Sequence, residues 1–129
     1  MTEEEQIELV RAYFGAVDRG DLEGVLATLS LDCKFTVETH GIELNGHHEL
    51  RGMYERLWRN HAAMVHDQMT FVPNAGTSRI AAQFRVVNTE HDGSTTYKSN
   101  CNFFDIEYGR FSRVAVYMAG DTTLDHANA

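Results

Sequence analysis

Residues 12–29 read AYFGAVDRGDLEGVLATL. Gly20 interrupts this segment, and glycine is the residue that most often ends a helix in the left-handed conformation. The apolar residues before Gly20 recur at helical spacing and are Ile7, Val10, Tyr13, Phe14 and Val17. Asp21 can cap a second, shorter helix, whose apolar residues are Leu22, Val25, Leu26 and Leu29. The segment therefore predicts two consecutive helices separated by a single turn.

The flanking sequence predicts the start of the first helix and the elements that come after the second. Thr2 can cap the first helix, and the three glutamates after it suit the positive end of the helix dipole. Residues 33–38 alternate between apolar and polar, which predicts a half-buried strand, and residues 40–46 form a loop. A third helix begins near His47, and its apolar stripe consists of Leu50, Met53, Tyr54, Leu57, Trp58 and His61.

The remainder of the chain predicts a meander of strands at residues 69–72, 80–90, 95–108 and 111–119. The Asp92-Gly93 pair between two of them indicates a hairpin with a type I′ turn. Because no linker or repeat divides the chain, we expect residues 1–129 to form a single α+β domain. A strongly curved sheet of this kind closes over its helices and leaves a cavity at its wide end.

The composition excludes several classes of function. The 129 residues carry 19 acidic and 11 basic side chains, so the formal net charge of −8 disfavours binding to nucleic acid. The acidic start does not resemble a signal peptide, and no apolar run approaches the length of a membrane span. Cys33 and Cys101 form no metal or redox spacing, so we expect free thiols, although a disulfide stays open. A cytoplasmic protein without membrane contact is expected.

These segments resemble the nuclear transport factor 2-like superfamily. Residues 12–29 are similar to the start of ketosteroid isomerases and of SnoaL-like polyketide cyclases. The sequence GHHELRGMY, residues 46–54, looks like the family's entry to its third helix, and residues 114–117 fit its closing strand. The resemblance covers nearly the whole chain. It implies a cone-shaped, curved antiparallel sheet (a cystatin-like fold) wrapped on three N-terminal helices around one ligand pocket.

Alignment with the ketosteroid isomerases implies two candidate catalytic residues. Those enzymes hold an oxyanion with a tyrosine and a protonated aspartate, and these positions fall on Tyr13 and Asn102. An amide can donate a hydrogen bond to an oxygen, and Asn100 shares the face of Asn102. Two alternatives remain open: Tyr13 as an ordinary core aromatic, and the asparagine face turned to solvent or to a dimer interface. The position of the family's base falls on Val37, which disfavours ketosteroid isomerase activity itself.

Two histidines are candidates for the missing base. His61 ends the apolar stripe of the third helix and His66 comes shortly after it, and a histidine in a pocket can transfer protons near neutral pH. Scytalone dehydratases, which are related, combine histidines with tyrosines and an asparagine. The alternative for each histidine is a place at the edge of the core. Asp121 lies near where SnoaL-like cyclases place an acid, but a solvated residue after the last strand is preferred.

The sequence thus supports two functions. The first is an isomerase, cyclase or dehydratase of a hydrophobic carbonyl compound, acting by acid–base chemistry without cofactor or metal. The second is a non-catalytic ligand-binding or dimerisation module. In both, a small hydrophobic molecule would contact Phe14, Phe35, Val37, Tyr54, Trp58, Phe84, Asn100, Val116 and Met118. A homodimer through the outer face of the sheet, including Ala115 and Tyr117, is also expected.

Overall fold

A computed structural model describes residues 1–120, 122 and 124, so Asp121 lies outside the described residues. Its helices are α1 (Glu3–Arg19), α2 (Leu22–Ala27) and α3 (Gly46–Asn60). Its strands are β1 (Leu29–Val37), β2 (Ile42–Asn45), β3 (Ala63–Asn74), β4 (Arg79–Thr89), β5 (Thr95–Glu107) and β6 (Arg110–Tyr117). A 3₁₀ turn, Glu38–His40, connects β1 to β2.

The strands form a six-stranded sheet in the order β2-β1-β6-β5-β4-β3. The predicted α+β class, with a curved sheet and three helices, is confirmed. One pairing differs from the expected antiparallel sheet, because β1 and β6 run parallel. The chain leaves the β1–β2 hairpin through α3, builds the meander β3 to β6, and returns to β1 in the direction in which β1 itself runs. This closure brings the N-terminal helices and the last strands around one interior.

The two helix boundaries predicted from local chemistry are confirmed. The Thr2 hydroxyl accepts a hydrogen bond from the Glu5 amide, and the Glu5 carboxylate accepts one from the Thr2 amide, which is a capping box. Gly20 ends α1 with φ at 67°, and the Asp21 carboxylate accepts a hydrogen bond from the Gly24 amide at the start of α2. These caps fix the point at which α1 stops and the chain turns back.

The predicted type I′ turn at Asp92-Gly93 is wrong. Gly93 adopts a positive φ but Asp92 does not, and hydrogen bonds between Glu90 and both Gly93 and Ser94 close a longer loop. Instead, Tyr108 and Gly109 both have positive φ, at 52° and 76°, in the two-residue connection from β5 to β6. That is the conformation of a type I′ turn. Tyr108 is a tyrosine at a position that usually carries asparagine or aspartate, which is why the sequence did not reveal it.

Three strand boundaries also differ from the prediction. The predicted loop over residues 40–46 contains β2, which pairs with β1 through Val37 and Ile42. Leu29 begins β1 and does not end α2. β3 extends well beyond residues 69–72 and contains Pro73, which is tolerated because β3 is an edge strand.

The core lies between the inner face of the sheet and the helices. Its largest fully buried side chains include four aromatic rings, those of Phe35, Tyr54, Phe104 and Phe111. A buried glutamine, Gln6, ties α1 to the end of β3. The side-chain nitrogen of Gln6 donates to the backbone carbonyl of Asn74. The side-chain oxygen of Gln6 accepts from the backbone N–H of Asn74, and both distances are 3.1 Å. This pair of bonds holds the edge strand against the helix.

Replacing Gln6 with alanine should lower the free energy of unfolding by about 2 kcal/mol, because both bonds to Asn74 are lost. Urea denaturation measures the change. Glu8→Ala is the matched control in the same helix, since Glu8 forms only an exposed ion pair with Arg11 and should cost about 0.5 kcal/mol at most. Equal losses for the two variants would show that the Gln6 bonds do not hold β3 in place.

Candidate active site

An internal cavity lies between α1, α3 and the inner face of β3 to β6. Its wall consists of Tyr13, Phe14, Val17, Phe35, Tyr54, Leu57, Met64, His66, Phe84, Val86, Asn88, Asn100, Asn102, Val116 and Leu124. The free volume is about 30 Å³, which is room for about one or two water molecules. This described wall is apolar except for two phenols, one imidazole and three carboxamides, and it contains no lysine or arginine.

The imidazole of His66 is held by a carboxylate. Its Nδ1 lies 2.5 Å from Oδ1 of Asp18, and its backbone N–H donates to Oδ2 of the same carboxylate at 2.8 Å. A carboxylate only accepts hydrogen bonds, so Nδ1 carries a hydrogen, and in the neutral ring Nε2 has the lone pair. Nε2 forms no hydrogen bond within the described part of the chain. Asp18 therefore fixes both the tautomer and the orientation of a ring that lines the cavity.

Local structure explains how these two residues meet. Phe14 and Asp18 are four residues apart in α1 and so share one helix face. The His66 ring stacks on Phe14, with the ring centres 4.6 Å apart and the planes 25° from parallel. In β3, Met64 and His66 point inward, and the register shifts after Asp67, where Gln68 has a φ of 52°. This β-bulge lets His66 face α1 while the rest of β3 continues along the sheet edge.

Two phenols meet in the cavity, one from within α1 and one from within α3. The hydroxyl groups of Tyr13 and Tyr54 are hydrogen-bonded to each other, and both side chains line the cavity. Burial raises the pKa of each phenol well above its usual value. Both phenols therefore keep their protons, and when one donates to the other, the second still has a proton to donate. The pair can supply a hydrogen bond to a ligand oxygen.

Three carboxamides on β4 and β5 complete the polar part of the wall. Asn100 accepts a hydrogen bond from the Ala119 amide at 3.2 Å. Asn88 and Asn102 are 1% and 3% exposed, and neither side chain forms a hydrogen bond among the described residues. A buried polar group without a partner costs about 1–3 kcal/mol, so such groups are rare unless water or a ligand satisfies them. The cavity thus presents unused donors and acceptors to whatever occupies it.

The structure brings together three of the four candidate catalytic residues: Tyr13, Asn102 and His66 line the same cavity. His61 does not. It is buried at the end of α3, where its Nδ1 bonds to the Leu57 carbonyl at 2.9 Å and its Nε2 lies 3.7 Å from Glu90. His61 thus has the place at the core edge that the sequence left open as the alternative.

Six of the nine residues expected to contact a ligand line the cavity, and three do not: Val37, Trp58 and Met118. Val37 is fully buried elsewhere in the core. The Trp58 indole packs behind Tyr54 and donates to the Val17 carbonyl at 2.9 Å. Met118 lies beside a groove on the opposite face of the sheet. Each has the expected residue type but sits one layer away from the cavity.

Sequence reasoning missed two polar residues of the site, Asp18 and Asn88, although both left a signal. Asp18 comes four residues after Phe14, so it belongs to the inward helix face, but its partner is 48 positions away. Asn88 continues the inward alternation of Ile80, Ala82, Phe84 and Val86 on β4. An asparagine in that register was a sign of a polar cavity wall.

The described residues contain no group of three or more histidine, cysteine, aspartate or glutamate side chains arranged to hold a metal ion. Cys33 and Cys101 are both free thiols. No described helix is long and apolar enough to cross a membrane.

Several solved structures have the same fold, and each can be superposed on most of this chain. A candidate polyketide cyclase from Xanthomonas campestris pv. campestris is 23% identical, with a TM-score of 0.81 over 89% of this chain and 90% of that one. A candidate polyketide cyclase from Pseudomonas putida KT2440 is 28% identical, with a TM-score of 0.76 over 85% and 88%. A candidate ketosteroid isomerase from Kribbella flavida is 16% identical, with a TM-score of 0.72 over 93% and 82%.

No curated protein matches the sequence. The family model of the SnoaL-like domain matches residues 10–114, which include the C-terminal part of α1, all of α3, most of the sheet and every described cavity residue except Val116 and Leu124. With a match of that extent, the chain belongs to the SnoaL-like domain family, and its fold is the nuclear transport factor 2-like fold.

Proposed function

We propose that this protein is a metal-free acid–base enzyme that isomerises, cyclises or dehydrates a small hydrophobic carbonyl compound. The observation that carries the proposal is the His66 ring, which Asp18 holds with Nε2 unbonded at the cavity wall. A general base needs that arrangement: a fixed tautomer, an available lone pair and a partner for the cation that forms. The candidate polyketide cyclases of similar structure support the same class of chemistry.

The proposed first step is enolisation. Nε2 of His66 takes a proton from the carbon next to the carbonyl, the electron pair of that C–H bond forms a C=C bond, and the π pair of the C=O bond moves to the oxygen. The imidazolium that forms is stabilised by the Asp18 carboxylate. The hydroxyl pair of Tyr13 and Tyr54 donates to the enolate oxygen, and a buried donor stabilises developing charge more than an exposed one.

The fate of the enolate decides the reaction class. Return of the proton to a different carbon gives an isomerase, and attack of the enolate carbon on a second carbonyl gives a cyclase. Loss of a β-hydroxyl, which leaves as water with the proton from His66, gives a dehydratase. The absence of lysine and arginine from the described cavity wall favours a neutral ligand in all three cases.

One observation favours the second candidate, a non-catalytic binding module. The free volume of about 30 Å³ is far below the roughly 300 Å³ of a typical ligand pocket. Both an enzyme and a binding module would have to widen this cavity to admit a ligand, however. A binding module would have no use for the carboxylate that holds His66. For this reason the enzyme is the preferred proposal.

Deuterium exchange into 2-tetralone, a neutral bicyclic ketone, tests the enolisation step. Mass spectrometry should show exchange of its α-hydrogens in D₂O above the buffer rate with the unmodified protein. His66→Gln should lower the excess rate by about 10²–10⁴-fold, the usual contribution of a general base. Asp18→Asn should also lower it at least tenfold, because an amide can donate to Nδ1 and move the ring hydrogen to Nε2.

His61→Gln is the matched control for that experiment, because His61 is a buried histidine outside the cavity. It should leave the exchange rate unchanged, provided that thermal melting shows a folded protein. If His61→Gln abolished exchange and His66→Gln did not, the base would be assigned wrongly. If the unmodified protein gave only the buffer rate, enolisation would be excluded for this ketone and the binding module would be preferred.

The proposal also requires the two cavity phenols to stay protonated, and stability at high pH tests this. Burial raises the pKa of Tyr13 and Tyr54 in the folded protein, whereas in the unfolded chain a phenol ionises near pH 10. Above about pH 10 the unfolded state therefore binds fewer protons, so the free energy of unfolding should fall by about 1.4 kcal/mol per pH unit and per phenol.

Urea denaturation between pH 8 and pH 11 measures this slope. The double variant Tyr13→Phe/Tyr54→Phe should lose the part of the slope that begins near pH 10, whereas Tyr97→Phe, which changes an exposed tyrosine, should retain it. Burial raises the pKa of the Cys33 thiol to about 12, so this thiol adds a slope from about pH 9 that all three proteins share. Equal slopes for all three proteins would mean that the buried phenols ionise as easily as those of the unfolded chain.

A homodimer through the outer sheet face is proposed as well. Val72 and Tyr117 are 67% and 42% exposed and border one groove on that face, and Phe103 packs against Tyr117. Exposed apolar clusters of this kind favour association. Ala115, expected at the interface, is already buried within the chain and offers little surface. A cytoplasmic location stays an expectation.

Sedimentation equilibrium at several concentrations should show a species of two chains. Tyr117→Lys should shift the equilibrium towards single chains by at least tenfold in dissociation constant, because it places a charge in the apolar groove. Leu31→Lys is the control, since Leu31 is an exposed apolar residue that lies away from that groove. Single chains at every concentration of the unmodified protein would contradict the dimer.

A further inference from the structure

The two carboxamides of the cavity wall that lack a partner lie far apart on the sheet. Asn102 in β5 is directly opposite Ala82 in β4, and Asn88 lies six residues further along β4 on the same inward face. Six residues of extended strand span roughly 20 Å. One polar group of a ligand therefore cannot satisfy both carboxamides, and each of them belongs to a different end of the cavity.

The phenols lie at the Asn102 end of the cavity. The Tyr13 ring packs edge-on against Phe104, with the ring centres 5.9 Å apart, and Phe104 is the next inward residue after Asn102 on β5. The hydroxyl of Tyr54 is bonded to that of Tyr13, so both phenolic groups belong to this end. A ligand oxygen that accepts from the phenols therefore lies nearer to Asn102 than to Asn88.

The imidazole lies between the two ends. His66 in β3 is directly opposite Val86 in β4, and Met64 is directly opposite Asn88. Asn88 is therefore one inward position beyond the imidazole, on the side away from the phenols. A ligand whose carbonyl reaches the phenols and whose carbon skeleton passes His66 would bring its far end to Asn88.

The side-chain donor of Asn88 is not used by the described part of the protein. Asn88 is 1% exposed, its Nδ2 has no hydrogen-bond partner, and its inward neighbours Val86 and Met64 are apolar and buried. Asn100, the same residue type in the same wall, is bonded to the Ala119 amide. A buried carboxamide without a partner destabilises the folded protein, whereas an apolar side chain of the same size does not. Asn88 is therefore explained better by a ligand than by the fold.

We propose that Asn88 selects the ligand by donating a hydrogen bond to a second oxygen atom, at the end of the cavity opposite the phenols. The ligand class is then a neutral, elongated molecule with an oxygen group at each end of an apolar body. This inference rests on the proposed ligand site and adds the class of substrate that the site accepts. The reacting carbonyl meets the phenols, His66 contacts the carbon next to it, and Asn88 holds the far end without taking part in proton transfer.

Equilibrium dialysis of two rigid phenols tests the ligand class. 4-Phenylphenol has a hydroxyl at one end, 4,4′-dihydroxybiphenyl has one at each end, and both are neutral at pH 7. The unmodified protein should bind the diol at least tenfold more tightly, because the second hydroxyl satisfies Asn88. Asn88→Leu should reduce this preference to about twofold, the statistical gain of a molecule with two equivalent ends. Gln83→Leu, which removes a carboxamide from the outward face of the same strand, should retain the full preference.

Urea denaturation without ligand tests whether Asn88 serves the ligand or the fold. Asn88→Leu should lower the equilibrium constant for unfolding by about tenfold, because an apolar group replaces an unpaired one of similar size. Asn100→Leu should raise the same constant by about tenfold, because the Ala119 amide loses its acceptor. If Asn88→Leu destabilised the protein as much as Asn100→Leu, Asn88 would be a structural residue and the inference would be wrong.

The outcomes of the dialysis separate the ligand class from the proposed reaction. A diol preference that Asn88→Leu does not alter would overturn the inference, as would equal binding of the two phenols or no binding of either by the unmodified protein. If His66→Gln abolished exchange into 2-tetralone while the diol preference was absent, the reaction would stand and the ligand class would fall. If Asn88→Leu removed the preference while His66→Gln did not alter exchange, the ligand class would stand without that reaction.

Discussion

The site depends on one carboxylate that accepts two hydrogen bonds from a single residue. Asp18 binds the backbone N–H and the ring Nδ1 of His66, and thereby connects the last turn of α1 to β3. The regular pairing of residues 63–67 with β4 sets the side of the sheet on which His66 lies, and the contact with Asp18 sets the orientation of its ring. The stacking of His66 on Phe14 restricts the ring further. One acidic residue thus sets the position of a strand, the rotamer of a side chain and the location of a ring hydrogen.

The other polar groups of the cavity wall can be sorted by one rule, which is that a buried polar group needs a hydrogen-bond partner. Tyr13 and Tyr54 satisfy each other, which leaves one phenolic proton for a ligand. Asn100 is satisfied by the Ala119 amide. Asn88 and Asn102 are not satisfied by the described residues. The site therefore separates into groups that are held in place and groups that are available, and the second set determines what a ligand must provide.

Sequence alone was informative wherever the determining contact is local. The capping box of Thr2 and Glu5, the end of α1 at Gly20 and the inward alternation of Asn100 and Asn102 depend on neighbours within a few residues. It failed where the contact is distant. The parallel pairing of β1 with β6 and the Asp18–His66 contact join positions dozens of residues apart, and no periodicity records them. The histidines His61 and His66 could not be distinguished for this reason.

The small free volume of the cavity and its unsatisfied carboxamides affect the stability of the ligand-free protein in opposite directions. A closed apolar cavity is stabilised by dense packing, and the Leu124 side chain provides part of that packing. Asn88 and Asn102 oppose it, since each costs free energy as long as it lacks a partner. A ligand that offers an acceptor to Nδ2 of Asn88 and a donor to Oδ1 of Asn102 would remove that cost while its apolar surface keeps the cavity packed. A ligand with these polar groups would therefore gain free energy from the two carboxamides that a hydrocarbon of the same size does not receive.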